Sequence, residues 1–313
     1  MIQEYFTLAL NLMLLGSNQT TSNLYLQKFA VPQIELYNLL ANTVPQVSMP
    51  TTIGQELVLD EIEGKSEISI IDIGMGTGQQ VFKLLHKLND RGIKRVNIVG
   101  IEPLKDSLDQ AEKKLKEAQF PFELNFTGIN SLLENMKDED LEKISQIAPN
   151  PVVWASFAFH HVYSDRTKEL TRIKNILKPS LIVLLEPNVD HFTADFGQRF
   201  FNCLNHFKMT FDSIDLLGLN DDQTSSLKQF FGREIFDIIS TDESKRTEKH
   251  EPATSWVKRL EDAGFSIISP NRQYYNDIIQ IVNTPTYVSL EFRDFPLTSV
   301  IAAKSDNQCI IDE

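Results

Sequence analysis

At 313 residues, with 42% hydrophobic side chains, the chain can bury a full core, which excludes a disordered polypeptide and leaves one large α/β domain or a domain with a substantial cap. Its formal charge of −13 argues against a phosphate backbone as partner, because nucleic-acid binding draws on clustered cations. Cys203 and Cys309 fit neither a disulfide framework nor a metal spacing, so a reducing, cytoplasmic setting is expected.

The first fifteen residues are apolar, but Glu4 stands where a signal peptide would be basic and no small-residue cleavage site follows. Phe6, Leu10, Met13 and Leu14 fall on one helical face and predict a packed helix. No apolar stretch is long enough to cross a bilayer, so no membrane partner is expected. Residues 1–55 read as an N-terminal helical cap, with stripes through Leu24, Phe29, Ile34, Leu36 and Leu39 and breaks at Pro32, Pro45 and Pro50.

From Glu56 the pattern alternates strand with helix, which predicts a mainly parallel sheet with right-handed crossovers over residues 56–313. The strands run Ile68–Ile73, Val96–Ile101, Phe122–Thr127, Val152–Phe157 and Leu181–Glu186. Ser107 to Ala118 is an amphipathic helix with a solvated charged face, and Asp138-Glu139-Asp140 suits a helix start. A phenylalanine-rich helical stretch follows, read as a cap insertion around 192–230. The tail returns to strands at Phe265–Ile268, Thr286–Phe292 and Thr298–Ala303, with a turn at Arg293-Asp294 that predicts an antiparallel hairpin on the sheet edge.

The first strand runs into Asp72-Ile73-Gly74-Met75-Gly76-Thr77-Gly78, glycine at every second position, and then into a helix striped by Val81, Leu84, Leu85 and Leu88. A dehydrogenase loop, Gly-x-Gly-x-x-Gly, would need its third glycine at position 79, where the chain has Gln79. That disfavours a nicotinamide-dependent oxidoreductase. The Asp-x-Gly-x-Gly-x-Gly form instead resembles motif I of the class I methyltransferases, which implies a Rossmann-like core binding S-adenosyl-L-methionine through Asp72, Gly74, Met75, Gly76 and Gly78. Glu102 ends the second strand about 24 residues later, near the offset at which an acid meets ribose hydroxyls.

Asn130 and Ser131 follow the third strand at the ligand edge of the sheet; the resemblance implies an adenine contact there, and a helix cap is the alternative. The end of the fourth strand, Ala155-Ser156-Phe157, with the Ala158-Phe159-His160-His161 that follows it, resembles the methyltransferase segment beneath the sulfonium. That adds Ala155 and Ser156 to the cofactor side and His160 as a general-base candidate. The fifth strand delivers Glu186, Asn188 and His191, read as the substrate wall, because polar groups after an apolar strand are costly unless they face a cavity or are hydrogen-bonded. No metal is expected: His191, Asp190 and Glu186 match no metal motif. A Gly-x-Ser-x-Gly elbow and a Walker loop are both absent.

A longer resemblance covers the chain from about Thr51. Glu67-Ile68-Ser69-Ile70-Ile71-Asp72 is similar to the VHIID block of the GRAS domain. Leu177-Lys178-Pro179-Ser180 through Glu186, Asn188 and His191 resembles the segment after it. Asp195-Phe196 to Arg199-Phe200 with Phe211-Asp212-Ser213 is similar to PFYRE. Gly232-Arg233-Glu234-Ile235, Arg246, His250-Glu251 and Trp256 to Phe265 follow in order, and Pro296 to Ala303 stands for the SAW end without its tryptophan. Plant members generally replace the glycine loop, whereas Gly74, Gly76, Gly78 and Glu102 are all present here. The resemblance therefore implies the bacterial-type branch: an S-adenosyl-L-methionine-dependent methyltransferase with a small or medium-sized acceptor under its cap, no nucleic-acid partner, and a homodimer by analogy. The alternative is a non-enzymatic GRAS-like regulatory module that binds a protein partner.

Overall fold

Alternation along β1 (Glu67–Ile73) sends Ile68 and Ile70 to one face of a sheet and Ile71 and Ile73 to the other. On β4 (Val152–Ser156) the same split separates Val152 and Trp154 from Val153 and Ala155. Each such isoleucine or valine side chain, fully buried, contributes about 1.5–3 kcal/mol, so strands apolar on both faces hold the centre of a two-sided fold. The computed structural model describes residues 2–15 and 30–305; Leu24, Phe29 and Cys309 lie outside the described residues.

The helices are α1 (Ile2–Leu14), α2 (Gln33–Thr43), α3 (Pro45–Glu61), α4 (Gln79–His86), α5 (Lys105–Glu117), α6 (Asp138–Ile147), α7 (Arg166–Arg172), α8 (Phe196–Asp215), α9 (Asp221–Ser240) and α10 (Ala253–Asp262). The remaining strands are β2 (Arg95–Ile101), β3 (Glu123–Ile129), β5 (Leu181–Pro187), β6 (Phe265–Ile267), β7 (Gln280–Asn283), β8 (Val288–Phe292) and β9 (Phe295–Ser305). The sheet order is β3-β2-β1-β4-β5-β9-β8-β7, with β6 pairing the far end of β9. The first five strands are parallel and the later ones antiparallel. This is the mixed α/β, Rossmann-like architecture expected from the alternating pattern.

Two layers cover the sheet. Ile53, Val58, Val81 and Leu85 from α3 and α4 pack on one face, and Leu141, Leu170, Trp256 and Leu260 from α6, α7 and α10 on the other. A third cluster joins Phe6, Leu36, Leu40, Phe207, Phe211, Phe230 and Ile235, so that α1, α2, α8 and α9 pack on one another. Among the described residues no helix is long and apolar enough to cross a membrane.

Several details differ from the sequence expectation. Pro50 breaks nothing: α3 runs through it, with Pro45 in its first turn, where the missing N–H is harmless, and ten of its 17 residues buried. On α1 it is Phe6 and Ala9 that are buried, while Leu14 is 78% exposed. The late hairpin does turn at Arg293 and Asp294, both with positive φ (50° and 61°), the two-residue geometry that matches strand twist. Its strand β9 is interior, however, because eleven residues let it pair with β5 on one side and with β8 and β6 on the other. The edge strand is β7, which reads too polar to be recognised from pattern alone.

Candidate functional site

Parallel pairing in register sets Asp72 beside Gly100 and Trp154, so the carboxyl ends of β1, β2 and β4 meet where the strand order reverses. A cleft opens there, spanning roughly 980 Å³ when the solvent-open space at its mouth is counted, and is lined by the glycine loop, Asp72, Glu102, Ser131, Ser156, Phe157 and His161, with Ile34, Tyr37 and Asn38 of α2 above.

Gly74, Gly76 and Gly78 have φ of 75°, 55° and 69°, conformations that side chains with a Cβ resist. The turn is tied down: Gly74 N and Met75 N donate to Ile101 O at 2.9 and 3.2 Å, and Gly78 N to Met75 O at 3.0 Å. A Cβ on Gly74 would lie 2.5 Å from the Ala158 Cβ, and one on Gly76 3.1 Å from the Ile34 Cδ1. Glu102 locks the loop to β2 by accepting Gly76 N on one carboxylate oxygen and Leu104 N on the other, both at 2.8 Å.

Asp72 is buried, lines the cleft and accepts no hydrogen bond from any described residue. Burial, with the Glu102 carboxylate as the second cause, raises its pKa to about 8. Burial also raises Glu102, against the opposing pull of its two backbone donors. Asp72 and Glu102 therefore share one wall, Glu134 is a third acid among the lining residues, and His161 is the one imidazole there. Above them Gln80 Nε2 donates to the Tyr37 hydroxyl at 2.9 Å and Gln80 Oε1 accepts from Trp154 Nε1 at 3.2 Å. Phe157 holds φ at 52° and borders both this cleft and a second, smaller cavity, a strained conformation of the kind found where a chain shapes a site.

Of the residues expected to hold a cofactor, Asp72, Gly74, Met75, Gly76, Glu102, Ser131 and Ser156 line the cleft. Gly78, Asn130 and Ala155 do not. Gly78 caps α4 against Ala111, Asn130 Nδ2 donates to the carbonyls of Glu102 and Pro103, and Ala155 packs in the core. None of the four residues expected at the substrate wall, His160, Glu186, Asn188 and His191, lines the cleft, and His160 borders the second cavity instead. Glu186, fully buried, accepts from Phe159 N at 2.8 Å and bonds His160 Nδ1 at 2.6 Å. Asn188 Oδ1 accepts from Ala253 N and so caps α10. His191 Nδ1 meets His250 Nδ1 at 2.9 Å, and Arg246 donates to the His191 carbonyl.

These contacts belong to a buried cluster that gathers five of the six histidines, His160, His161, His191, His206 and His250, with Glu186, Glu234 and Glu248. Burial works against charge on His160, but Glu186 and then Glu248 overcome it and raise its pKa to about 9. Burial lowers His161 and His206 to about 3 and also holds His191 and His250 well below the ordinary imidazole value. Glu234 rises well above the carboxylate range through burial, whereas the neighbouring imidazoles of His161 and His160 hold Glu248 below it despite burial. Sequence reasoning missed Tyr37, Gln80 and Glu248. The one available signal was the concentration of histidines in the segments that resemble one family.

The GRAS domain family model matches residues 2–289. Among curated proteins, the GRAS family protein RAD1 of Lotus japonicus is 27% identical over 247 residues, covering 74% of this chain and 48% of the relative. The Scarecrow-like transcription factor PAT1 of Arabidopsis thaliana is 25% identical over 231 residues (67% and 46%), and the DELLA protein GAIP of Cucurbita maxima 25% over 224 (68% and 38%). The chain thus spans about half or less of the length of these relatives. Among solved structures, SCL7 of Oryza sativa superposes with a TM-score of 0.81 at 21% identity, covering 97% of this chain and 88% of that one. The DszA carbon methyltransferase gives 0.52 at 14% identity, covering 96% and 66%. Both show the fold alone.

These findings correct two expectations. The curated relatives are GRAS proteins and none of the three is named as an enzyme, while the likeness to a methyltransferase is one of fold, so the methyltransferase assignment is overturned. The small-molecule methyl acceptor falls with it, as does the expected absence of nucleic acid, since a transcription factor stands among the relatives. Physically, the side chains assigned to acceptor chemistry are consumed in the interior.

Proposed function

The chain belongs to the GRAS domain family, and from that premise we propose that it is a non-enzymatic regulatory module that engages macromolecular partners and holds S-adenosyl-L-methionine in its cleft as a ligand. The observation that carries this reading is the contrast between the two halves of the site. The glycine loop and its two carboxylates keep a roomy, open cleft, while His160, Glu186, Asn188 and His191 are turned inward.

The residues present fit the ligand. Asp72 is a buried carboxylate with no hydrogen-bond donor among the described residues, in a wall whose excess of acid favours a cation. The ligand supplies a sulfonium and an ammonium charge together with a ribose diol. Asp72 and Glu102 answer those groups, the backbone at Gly74 and Gly76 admits close approach, and Ile34 and Tyr37 exclude water from above. Regulation follows from α2. It presents Tyr37 and Asn38 to the cleft and buries Leu36 and Leu40 in the cluster of α8 and α9, so occupancy biases the helical surface that serves as cap and partner face.

Calorimetric titration tests the reading directly. S-adenosyl-L-methionine binds and remains unconverted in the presence of the protein, and it binds more tightly than its neutral-sulfur demethylated product. Absence of binding by either compound removes the ligand, and multiple-turnover formation of the demethylated product removes the non-enzymatic assignment.

A further inference from the structure

We propose that His160, His161 and Glu248 form a binding site for a divalent transition-metal ion of the zinc class, a site independent of the adenosyl cleft reading. The three side chains offer ligand atoms that all lie within 4.8 Å of one another. His160 Nε2 is 3.3 Å from Glu248 Oε2 and His161 Nδ1 is 3.6 Å from Glu248 Oε1. Two ligands about 2.0–2.1 Å from a tetrahedral ion sit roughly 3.3 Å apart, so the spacing is that of ligands around a common centre. Charge-assisted N–H···O bonds are shorter, about 2.7–2.9 Å.

Three further observations point to an ion. Glu248 is 1% exposed, yet its Oε1, on the side facing His161, has no hydrogen-bond partner, an arrangement that is costly unless something positive completes it. His160 carries the support that ligating imidazoles use: its other nitrogen, Nδ1, meets the fully buried Glu186 at 2.6 Å, which fixes the ring with Nε2 turned to Glu248. The two rings stand with centroids 3.9 Å apart on one tight turn, Phe159–His161, and that turn is itself anchored by Phe159 N on Glu186. Two imidazoles and a carboxylate suit zinc, and His161 lines the cleft, which provides an entry path and room for a fourth ligand.

The consequence is architectural. His160 and His161 follow β4, whereas Glu248 belongs to the segment after α9, whose Thr247 N and Glu248 N are held by the Asp237 carboxylate at 2.8 and 2.7 Å. An ion would pin the helical layer to the sheet at the cleft wall.

The test uses the purified full chain, stripped with chelator and titrated with Zn2+ against a colorimetric chelator and with Co2+ by visible absorption. Wild type takes up one equivalent, and its cobalt form shows the intense visible bands of a low-symmetry site. Glu248→Gln loses the ion, Glu186→Gln binds about 10–100-fold more weakly, and His86→Gln, whose ring packs on Phe82 elsewhere, binds as wild type does. The cobalt spectrum of the wild type decides the matter even where a variant fails to fold. A featureless cobalt titration, or zinc retained equally by folded Glu248→Gln, overturns the site in favour of an imidazolium held between Glu186 and Glu248.

Discussion

Replacing Asp72 by asparagine stabilises the ligand-free protein, and increasingly so as pH rises. Asp72 is 3% exposed, and burial with the Glu102 charge raises its pKa from about 4 in an unfolded chain to about 8. A raised acid binds a proton in the folded state that the unfolded state has already released, so the folded form is penalised as pH climbs from the unfolded value and the penalty is complete above the folded one. At about 1.4 kcal/mol per pH unit, the penalty is about 1.5 kcal/mol near pH 5 and about 4 kcal/mol near pH 7. Water in the open cleft reduces these figures, so the expected widening between roughly pH 5 and roughly pH 7.5 is at least about 2 kcal/mol. Asparagine has the same shape and no charge to suppress. Urea unfolding followed by the fluorescence of Trp154 and Trp256, both buried, measures both proteins across that range. A stability difference that stays flat with pH would mean that Asp72 titrates normally, and the electrostatic account of the cleft would be wrong.

The same proton links to ligand binding. Since a cation favours the ionised Asp72, S-adenosyl-L-methionine binding should tighten as pH rises toward about 8, up to tenfold per unit, with proton release visible as a buffer-dependent calorimetric enthalpy. Gly76→Val, with φ at 55° and Ile34 overhead, should abolish that binding while the far-ultraviolet circular dichroism remains that of the wild type. Gly74→Ala should instead lower the unfolding midpoint, because its Cβ meets the Ala158 Cβ at 2.5 Å, and a midpoint equal to wild type would contradict the packing described. Asn188→Ala removes the acceptor for Ala253 N and should cost about 1 kcal/mol in chemical denaturation, with ligand affinity unchanged. A loss of affinity there would return Asn188 to the cleft.

The sequence by itself determined what local chemistry controls. Isoleucines on both faces of β1, glycines where φ must be positive, and an acid at the end of β2 specify a buried parallel strand, a close-approach loop and a polar switch point without reference to distant residues. Only the tertiary structure decided the fate of the polar groups beyond β4. Glu186, Asn188 and His191 read as a wall because polar side chains after an apolar strand need partners, and the sequence cannot say whether a cavity or the protein supplies them. The protein supplies them from far away: Asn188 meets a backbone 65 residues on, and His191 meets His250 across 59. The interior place of β9 has the same cause, since strand order depends on pairings between segments separated by more than a hundred residues, which no local period encodes.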